Sequence, residues 1–98
     1  MVNEFEQVAM LIAEQTGIRR SAIHEGADLV ADLRIDGDDL AELMKAYFAR
    51  FAVDDAGFDP ARYVPDEGFS LFKKARPVQS ITVDMLVQAI RSRRWPGQ

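Results

Sequence analysis

Apolar residues recur at intervals of three and four along three stretches of the chain, the spacing that places side chains on one face of a helix. The spacing predicts a first helix over residues 3–15, a second that begins at 36–38 and ends at 52 or 53, and a last helix over 82–94. The second helix has the longest apolar stripe, which consists of Leu40, Leu43, Met44, Tyr47, Phe48 and Phe51. The stripe of the first helix consists of Phe5, Val8, Ala9 and Ile12, and that of the last helix consists of Val83, Leu86, Val87 and Ile90. All three stripes are expected to face a common core.

The ends of these helices carry residues suited to them. Asn3, Thr82 and one of the three residues at 36–38 are predicted to cap the free backbone N–H groups of each first turn. Gly17 is predicted to end the first helix, since glycine readily adopts the left-handed conformation found there. Trp95 and the proline after it mark the end of the last helix.

Long irregular segments, 18–35 and 66–80, separate the predicted helices. A single helical turn is expected at Ser21, and another at 59–63, where Asp59 is placed to cap and proline follows it. No stretch alternates apolar and polar residues long enough to predict a sheet. The predicted fold class is therefore all-α, a small bundle of three main helices plus one short helix, with long loops.

Length and composition narrow the possibilities further. A chain of 98 residues is expected to form a single domain over residues 1–98, because so short a chain cannot build two cores. It has no cysteine, which excludes disulfides and thiolate sites and fits a cytoplasmic protein. The N-terminus lacks the basic start and long apolar run of a signal peptide. We expect a monomer or weak oligomer that is neither exported nor bound to a membrane.

Charge is distributed unevenly along the chain. Residues 1–69 carry fifteen acidic and six basic residues, whereas residues 70–98 carry one acidic and six basic residues. An acidic body argues against nucleic acid as a partner, because phosphates require a basic surface. The basic C-terminal part fits either an acidic or phosphorylated partner or an ordinary solvated surface.

The acidic cluster before the second helix has part of the spacing of a calcium-binding loop. If such a loop began at Asp32, Gly37 would occupy the sixth position as required. Arg34 would then occupy the third position and Leu43 the twelfth, where oxygen ligands are needed. No metal site is predicted here.

No catalytic residue is predicted either. His24 is the single histidine and lies in an irregular segment without a partner pattern. None of the serines has the glycine context of a nucleophile elbow. In the absence of a convergent set of reactive groups, the chain is not expected to be an enzyme.

The segment over 32–43, DLRIDGDDLAEL, resembles the acyl carrier protein pattern of Asp-Leu, two residues, Asp-Ser-Leu-Asp, two residues and Glu-Leu. This resemblance implies a bundle of three main helices and a short one, with a long first loop. Carrier proteins attach phosphopantetheine to the serine of this pattern, and Gly37 occupies that position here. Asp38 replaces the leucine that follows. The resemblance thus implies a carrier fold without the attachment site, so no cofactor is expected.

The chain as a whole is similar to small bacterial proteins grouped as domain of unknown function 1493, which are themselves similar to carrier proteins. The features that carry this similarity extend over residues 20–95. They are the Asp-Gly-Asp-Asp at 36–39, the Gly-Phe-Asp at 57–59, the Arg-Tyr at 62–63, the proline at 65 with the Glu-Gly at 67–68, and the closing segment from the Ile-Thr-Val-Asp-Met-Leu at 81–86 to Trp95. The implied property is a carrier-like fold with no assigned activity.

Three functional hypotheses follow. In the leading one, a carrier-like interaction or regulatory module binds an unidentified protein through Asp36, Asp38, Asp39 and Glu42, while a solvated, capped helix is the simpler interpretation of the same acids. In the second, a working acyl or peptidyl carrier is modified at another serine, Ser21 or Ser70. In the third, a small bundle binds a lipid between its helices beside Met44 and Phe48.

Overall fold

Three α-helices and one 3-10 turn form the regular structure of the residues described in the computed structural model, which are 3–59, 62–63 and 79–95. The helices are α1 (Glu4–Thr16), α2 (Gly37–Phe51) and α3 (Val83–Ser92), and the 3-10 turn covers Arg20–Ala22. Helix α1 packs against both α2 and α3. Within the described residues there is no β-strand, so the predicted all-α bundle is confirmed. None of the described helices is both long enough and apolar enough to span a bilayer.

The predicted helix starts are confirmed by their capping hydrogen bonds. The side-chain oxygen of Asn3 accepts a hydrogen bond from the N–H of Glu6 at 2.8 Å, and the Thr82 hydroxyl accepts one from the N–H of Met85 at 3.2 Å. At the other end of α1, Gly17 adopts a left-handed φ of 76°. These local contacts stop the helices where the spacing of capping residues indicated.

The C-terminal ends of α2 and α3 differ by one or two residues from the prediction. Ala52 follows α2 with a φ of 54°, and Arg93 follows α3 with a φ of 67°. Both residues leave the right-handed helical region, so α2 ends at Phe51 and α3 at Ser92. Neither residue is a glycine, and for that reason the sequence did not mark these ends.

The core lies between the inner faces of the three helices and is completed by the first loop. Most predicted stripe residues are buried, while Phe5, Phe48, Phe51 and Ile90 are only half-buried. Leu11 and Ala89 are buried although the predicted stripes omitted them. The helices supply these buried residues: Val8, Ala9, Leu11, Ile12, Leu40, Leu43, Met44, Tyr47, Val83, Leu86, Val87 and Ala89.

The long first loop is ordered because the start of α3 holds it. The N–H of Leu29 donates to the carbonyl of Ile81 at 2.8 Å, and the N–H of Val83 donates to the carbonyl of Ala27 at 3.0 Å. Ile23, Ala27, Leu29 and Ile35 are buried in the same core. The loop therefore positions the start of α2, which follows it directly.

The predicted short turns are found in part. The turn expected at Ser21 is present one residue earlier, as the 3-10 turn at Arg20–Ala22. In the turn expected at 59–63, the N–H of Arg62 donates to the carbonyl of Asp59 at 3.0 Å, while residues 60 and 61 lie outside the described residues. Most of the predicted loop at 66–80 also lies outside them.

The segments that follow α2 and α3 pair with each other. The N–H of Asp54 donates to the carbonyl of Arg93 at 3.0 Å, and the N–H of Trp95 donates to the carbonyl of Asp54 at 2.8 Å. This pairing buries the Trp95 indole, whose N–H donates to the Tyr63 hydroxyl at 3.2 Å. These hydrogen bonds hold the segment after α2 against the segment after α3.

Candidate binding surface on helix α2

The acidic start of α2 consists of Asp36, Asp38, Asp39 and Glu42. Asp36 is the N-cap: its side-chain oxygen accepts a hydrogen bond from the N–H of Asp39 at 3.0 Å, and its carbonyl accepts one from the N–H of Leu40 at 2.7 Å. Asp36 is exposed, yet its carboxylate already has a structural role. Among the four acids, Asp36 is therefore the least free to serve a partner.

The other three acids of this surface point to solvent. Asp38, Asp39 and Glu42 are exposed, and no basic side chain in the described part of the chain forms an ion pair with them. Asp38 and Asp39 lie in the first turn, where negative charge is favoured by the positive end of the helix dipole. The acidic start of α2 thus presents a concentrated negative charge that no basic side chain within the described residues neutralises.

The acids of α1 are in a different situation. Glu4 pairs with Arg91 at 3.5 Å, Glu14 pairs with Arg50 at 3.4 Å, and Glu6 pairs with Arg20. These ion pairs join α1 to α3, to α2 and to the 3-10 turn. Three basic side chains thus pair with acids of α1, whereas no ion pair among the described residues involves the acidic start of α2.

Asp32 belongs to the same acidic run in sequence, and its carboxylate has a structural role. One of its carboxylate oxygens accepts a hydrogen bond from the N–H of Asp28 at 2.8 Å. Asp28 in turn accepts hydrogen bonds from the N–H groups of Val30 and Ala31, both at 2.8 Å. Asp32 therefore stabilises the turn that leads into α2. Within residues 3–59, 62–63 and 79–95, no group of histidines and acids is arranged to hold a metal ion.

Gly37, the position to which the carrier resemblance assigns the attachment serine, is the first residue of α2. It has no side chain that could form a phosphodiester. Ser21, one of the two serines proposed instead, is exposed in the 3-10 turn. Ser70, the other one, lies outside the described residues.

A groove of about 500 Å³ lies beside the outer face of α2 and is open to solvent. Two of its lining residues, Met44 and Phe48, were predicted to contact an apolar ligand. The spacing of apolar residues did not indicate the other wall. It comes from the segment after α2, where Gly57 has a φ of 84°. The full lining is Ala41, Met44, Lys45, Phe48, Ala49, Val53, Asp55 and Phe58.

Phe48 and Phe58, which line the groove, form an aromatic cluster with Trp95. The rings of Phe48 and Phe58 meet edge to face at a centroid distance of 5.2 Å. Trp95 contacts both of them, at 5.9 Å and 5.2 Å respectively, and is itself buried. Edge-to-face pairs of this kind hold aromatic rings in defined orientations. The floor of the groove is thus fixed by long-range packing.

Among the described residues, Tyr47 is the titratable group whose pKa is most clearly changed by its environment. Its hydroxyl is buried and donates a hydrogen bond to the Leu86 carbonyl at 2.6 Å, which joins α2 to α3. Burial raises the pKa of the Tyr47 hydroxyl above the ordinary range of tyrosine, because the phenolate would be desolvated. The group faces the core and not the groove, so its role is structural.

The comparisons with known proteins identify a family. The family model described as protein of unknown function (DUF1493) matches residues 3–96, and the chain belongs to this family. The match begins earlier than the resemblance over residues 20–95 and includes α1. No curated protein and no solved structure matches the chain.

Proposed function

We propose that this chain is a carrier-shaped helical module without enzymatic activity, which binds another protein through the acidic start of α2. The observation that carries the proposal is the exposure of Asp38, Asp39 and Glu42 on one helix start, without a basic partner in the described part of the chain. A regulatory role is included, because binding alone is sufficient for it.

The charge of this surface specifies the class of partner. Complementary charge raises the rate of encounter and disfavours wrong partners more than it adds affinity. A partner with a basic surface fits the acidic start of α2, whereas nucleic acid and acidic proteins would be repelled. If the acids only cap and solubilise the helix, no partner depends on them.

Charge changes at the acidic start test the proposal. Asp39→Lys with Glu42→Lys reverses two charges and leaves the Asp36 cap in place, and Asp39→Asn with Glu42→Gln removes them with less effect on the helix dipole. Glu25→Lys is the matched control, because Glu25 is an exposed acid away from α2. Both double variants should lose a partner that the wild type and Glu25→Lys retain in affinity capture from the native host. If the double variants capture every partner of the wild type, the proposal is wrong.

The proposal also holds that no phosphopantetheine arm is attached. Gly37 supports this part, since glycine offers no hydroxyl. The intact mass of protein purified from the native host should equal the mass of the unmodified chain. The mass should stay the same after incubation with coenzyme A and a promiscuous phosphopantetheinyl transferase. An increase by one phosphopantetheine would restore the carrier function and direct attention to Ser21 and the other serines.

A second candidate function is the binding of a small apolar ligand. The groove beside Met44 and Phe48 favours it, since about 500 Å³ lies within the range of small-molecule sites. Native mass spectrometry of freshly purified protein should then show a copurifying ligand. Its absence, together with a lack of binding to added fatty acid, would argue against this candidate.

A further inference from the structure

We propose that the groove on α2 receives an amphipathic helix of the partner protein, with basic residues at the end of that helix that lies over the acidic start. This inference rests on the proposed function and specifies the structure and chemistry of the partner. Three features of the described residues support it: the continuity of one helix face, the shape of the groove and the charges at its edges.

Two residues of the acidic start, Asp38 and Glu42, lie on the same face of α2 as groove residues such as Lys45. Glu42 follows Asp38 by four residues, and Lys45 follows Glu42 by three, which is the spacing of neighbours on one helix face. This face borders the core stripe and shares the half-buried Phe48 with it. Its members, in order along α2, are Asp38, Ala41, Glu42, Lys45, Phe48 and Ala49.

The open groove and the small side chains beside it favour a helix over a small molecule as the ligand. Ala41 and Ala49 are exposed and small, Lys45 lies between them in the same row of the helix, and the ring of Phe48 beside them is half-buried. Short side chains allow a second helix to approach at the 8–10 Å separation typical of packed helices. Met44 in the lining is buried, and the groove is open to solvent. An isolated fatty chain would stay largely exposed to water there.

The charges at the edges give the partner helix its preferred composition. Asp38 and Glu42 lie at one end of the face, and Asp55 lies on the opposite wall. Lys45 is the one basic residue on this face of α2. With three acids around one base, the groove favours a basic helix. From Ala41 to Ala49 the face covers about 12 Å of helix axis, enough for two turns of apolar contact.

The test uses a defined probe and the full-length protein. The probe is a synthetic peptide of about 18 residues, or five helical turns, with leucine at the i, i+3, i+4 and i+7 positions, lysine or arginine at the others and no tryptophan. Trp95 is the single tryptophan of the chain and contacts the Phe48 and Phe58 rings, so its emission reports on the groove. The probe should change that emission and shift the amide resonances of residues 41–49 and 53–58.

Variants distinguish the contribution of the groove to probe binding from that of the acids. Ala49→Gln fills the groove without a change of charge and keeps a good helix former, so the fold should persist. It should raise the Kd of the basic probe at least about tenfold. Ala22→Gln, at an exposed site outside the groove, should leave the Kd unchanged. A probe with glutamate in place of its basic residues should also bind at least about tenfold more weakly.

The other outcomes contradict the inference in distinguishable ways. If Ala49→Gln binds the probe like the wild type while Asp38→Asn with Glu42→Gln loses it, the groove is not the docking site and the acidic start still is. If Ala49→Gln no longer binds the probe but Asp38→Asn with Glu42→Gln binds it like the wild type, the acids do not contribute to binding. The proposed function is then wrong. Three further results would each overturn the proposal of a partner helix. The probe does not bind at about 1 mM, palmitate occupies the groove instead, or the protein associates with itself through residues 41–49.

Discussion

Replacement of Tyr47 by phenylalanine tests how the burial of one hydroxyl joins α2 to α3. The hydroxyl is fully buried and its hydrogen bond to the Leu86 carbonyl is 2.6 Å long. Phenylalanine keeps the ring, so the contacts with Phe48 and Trp95 persist. The substitution therefore removes the hydrogen bond with little other change. A buried hydrogen bond of this kind contributes about 0.5–1.5 kcal/mol to the free energy of unfolding, and we expect a loss of about 1 kcal/mol at pH 7.

The difference in the free energy of unfolding between the wild type and Tyr47→Phe should decrease at alkaline pH. Burial raises the pKa of Tyr47 in the folded state, whereas an unfolded tyrosine titrates near pH 10. The protonated hydroxyl therefore stabilises the fold fully below about pH 10, and this contribution falls as pH rises further, by up to about 1.4 kcal/mol per pH unit. Tyr47→Phe has no such loss. The higher free energy of unfolding of the wild type should therefore disappear roughly one pH unit above 10, and Tyr47→Phe should be the more stable protein at higher pH.

Urea unfolding of both proteins between pH 7 and pH 11.5, followed by circular dichroism, measures this difference. All other titrating groups are common to the two proteins and cancel. Phe48→Leu is the control, since it alters a ring against Tyr47 and leaves the hydroxyl in place; relative to the wild type, its change in free energy should not depend on pH. A constant difference between wild type and Tyr47→Phe across this range would refute the reasoning from burial.

Two further predictions concern the ends of α2. Asp36→Ala should lower the free energy of unfolding by about 1 kcal/mol and the melting temperature by about 4–8 °C, because the N-cap hydrogen bond is lost, while Asp36→Ser should keep most of the stability in the same thermal scan. Ala52→Gly should raise the free energy of unfolding by about 0.5–1 kcal/mol, because glycine adopts the left-handed φ of 54° without strain. Ala46→Gly, in the middle of α2, should lower it by about 1 kcal/mol in urea unfolding, and equal signs for the two glycine variants would contradict this explanation.

The features that the sequence predicted correctly are those set by local chemistry. Asn3, Thr82 and the acids at 36–38 lie next to apolar stripes, and capping requires only a side chain and a backbone N–H three residues away. The C-terminal ends of α2 and α3 were less well predicted, because Ala52 and Arg93 adopt a conformation that their residue types do not indicate.

Features set by long-range contacts could not be predicted in this way. Phe58 reaches the groove only because the chain turns at Gly57 and packs on Trp95, and no periodicity reveals that contact. Asp32 looks like part of the acidic surface in sequence, yet its hydrogen bond to the N–H of Asp28 depends on the backbone of the turn. The exposure of the acids at the start of α2 follows from their position opposite the core stripe. Their use by a partner stays a prediction.

Site-specific photocrosslinking in the native host tests binding through α2 most directly. A benzophenone amino acid at Lys45 leaves every acid of the acidic start intact and lies on the same helix face. A second protein carries the benzophenone at Gln88, an exposed position on α3. The account predicts a discrete crosslinked protein from position 45, absent from position 88 and lost when Asp39→Lys and Glu42→Lys are added. No crosslink from position 45, or the same products from both positions, would contradict it.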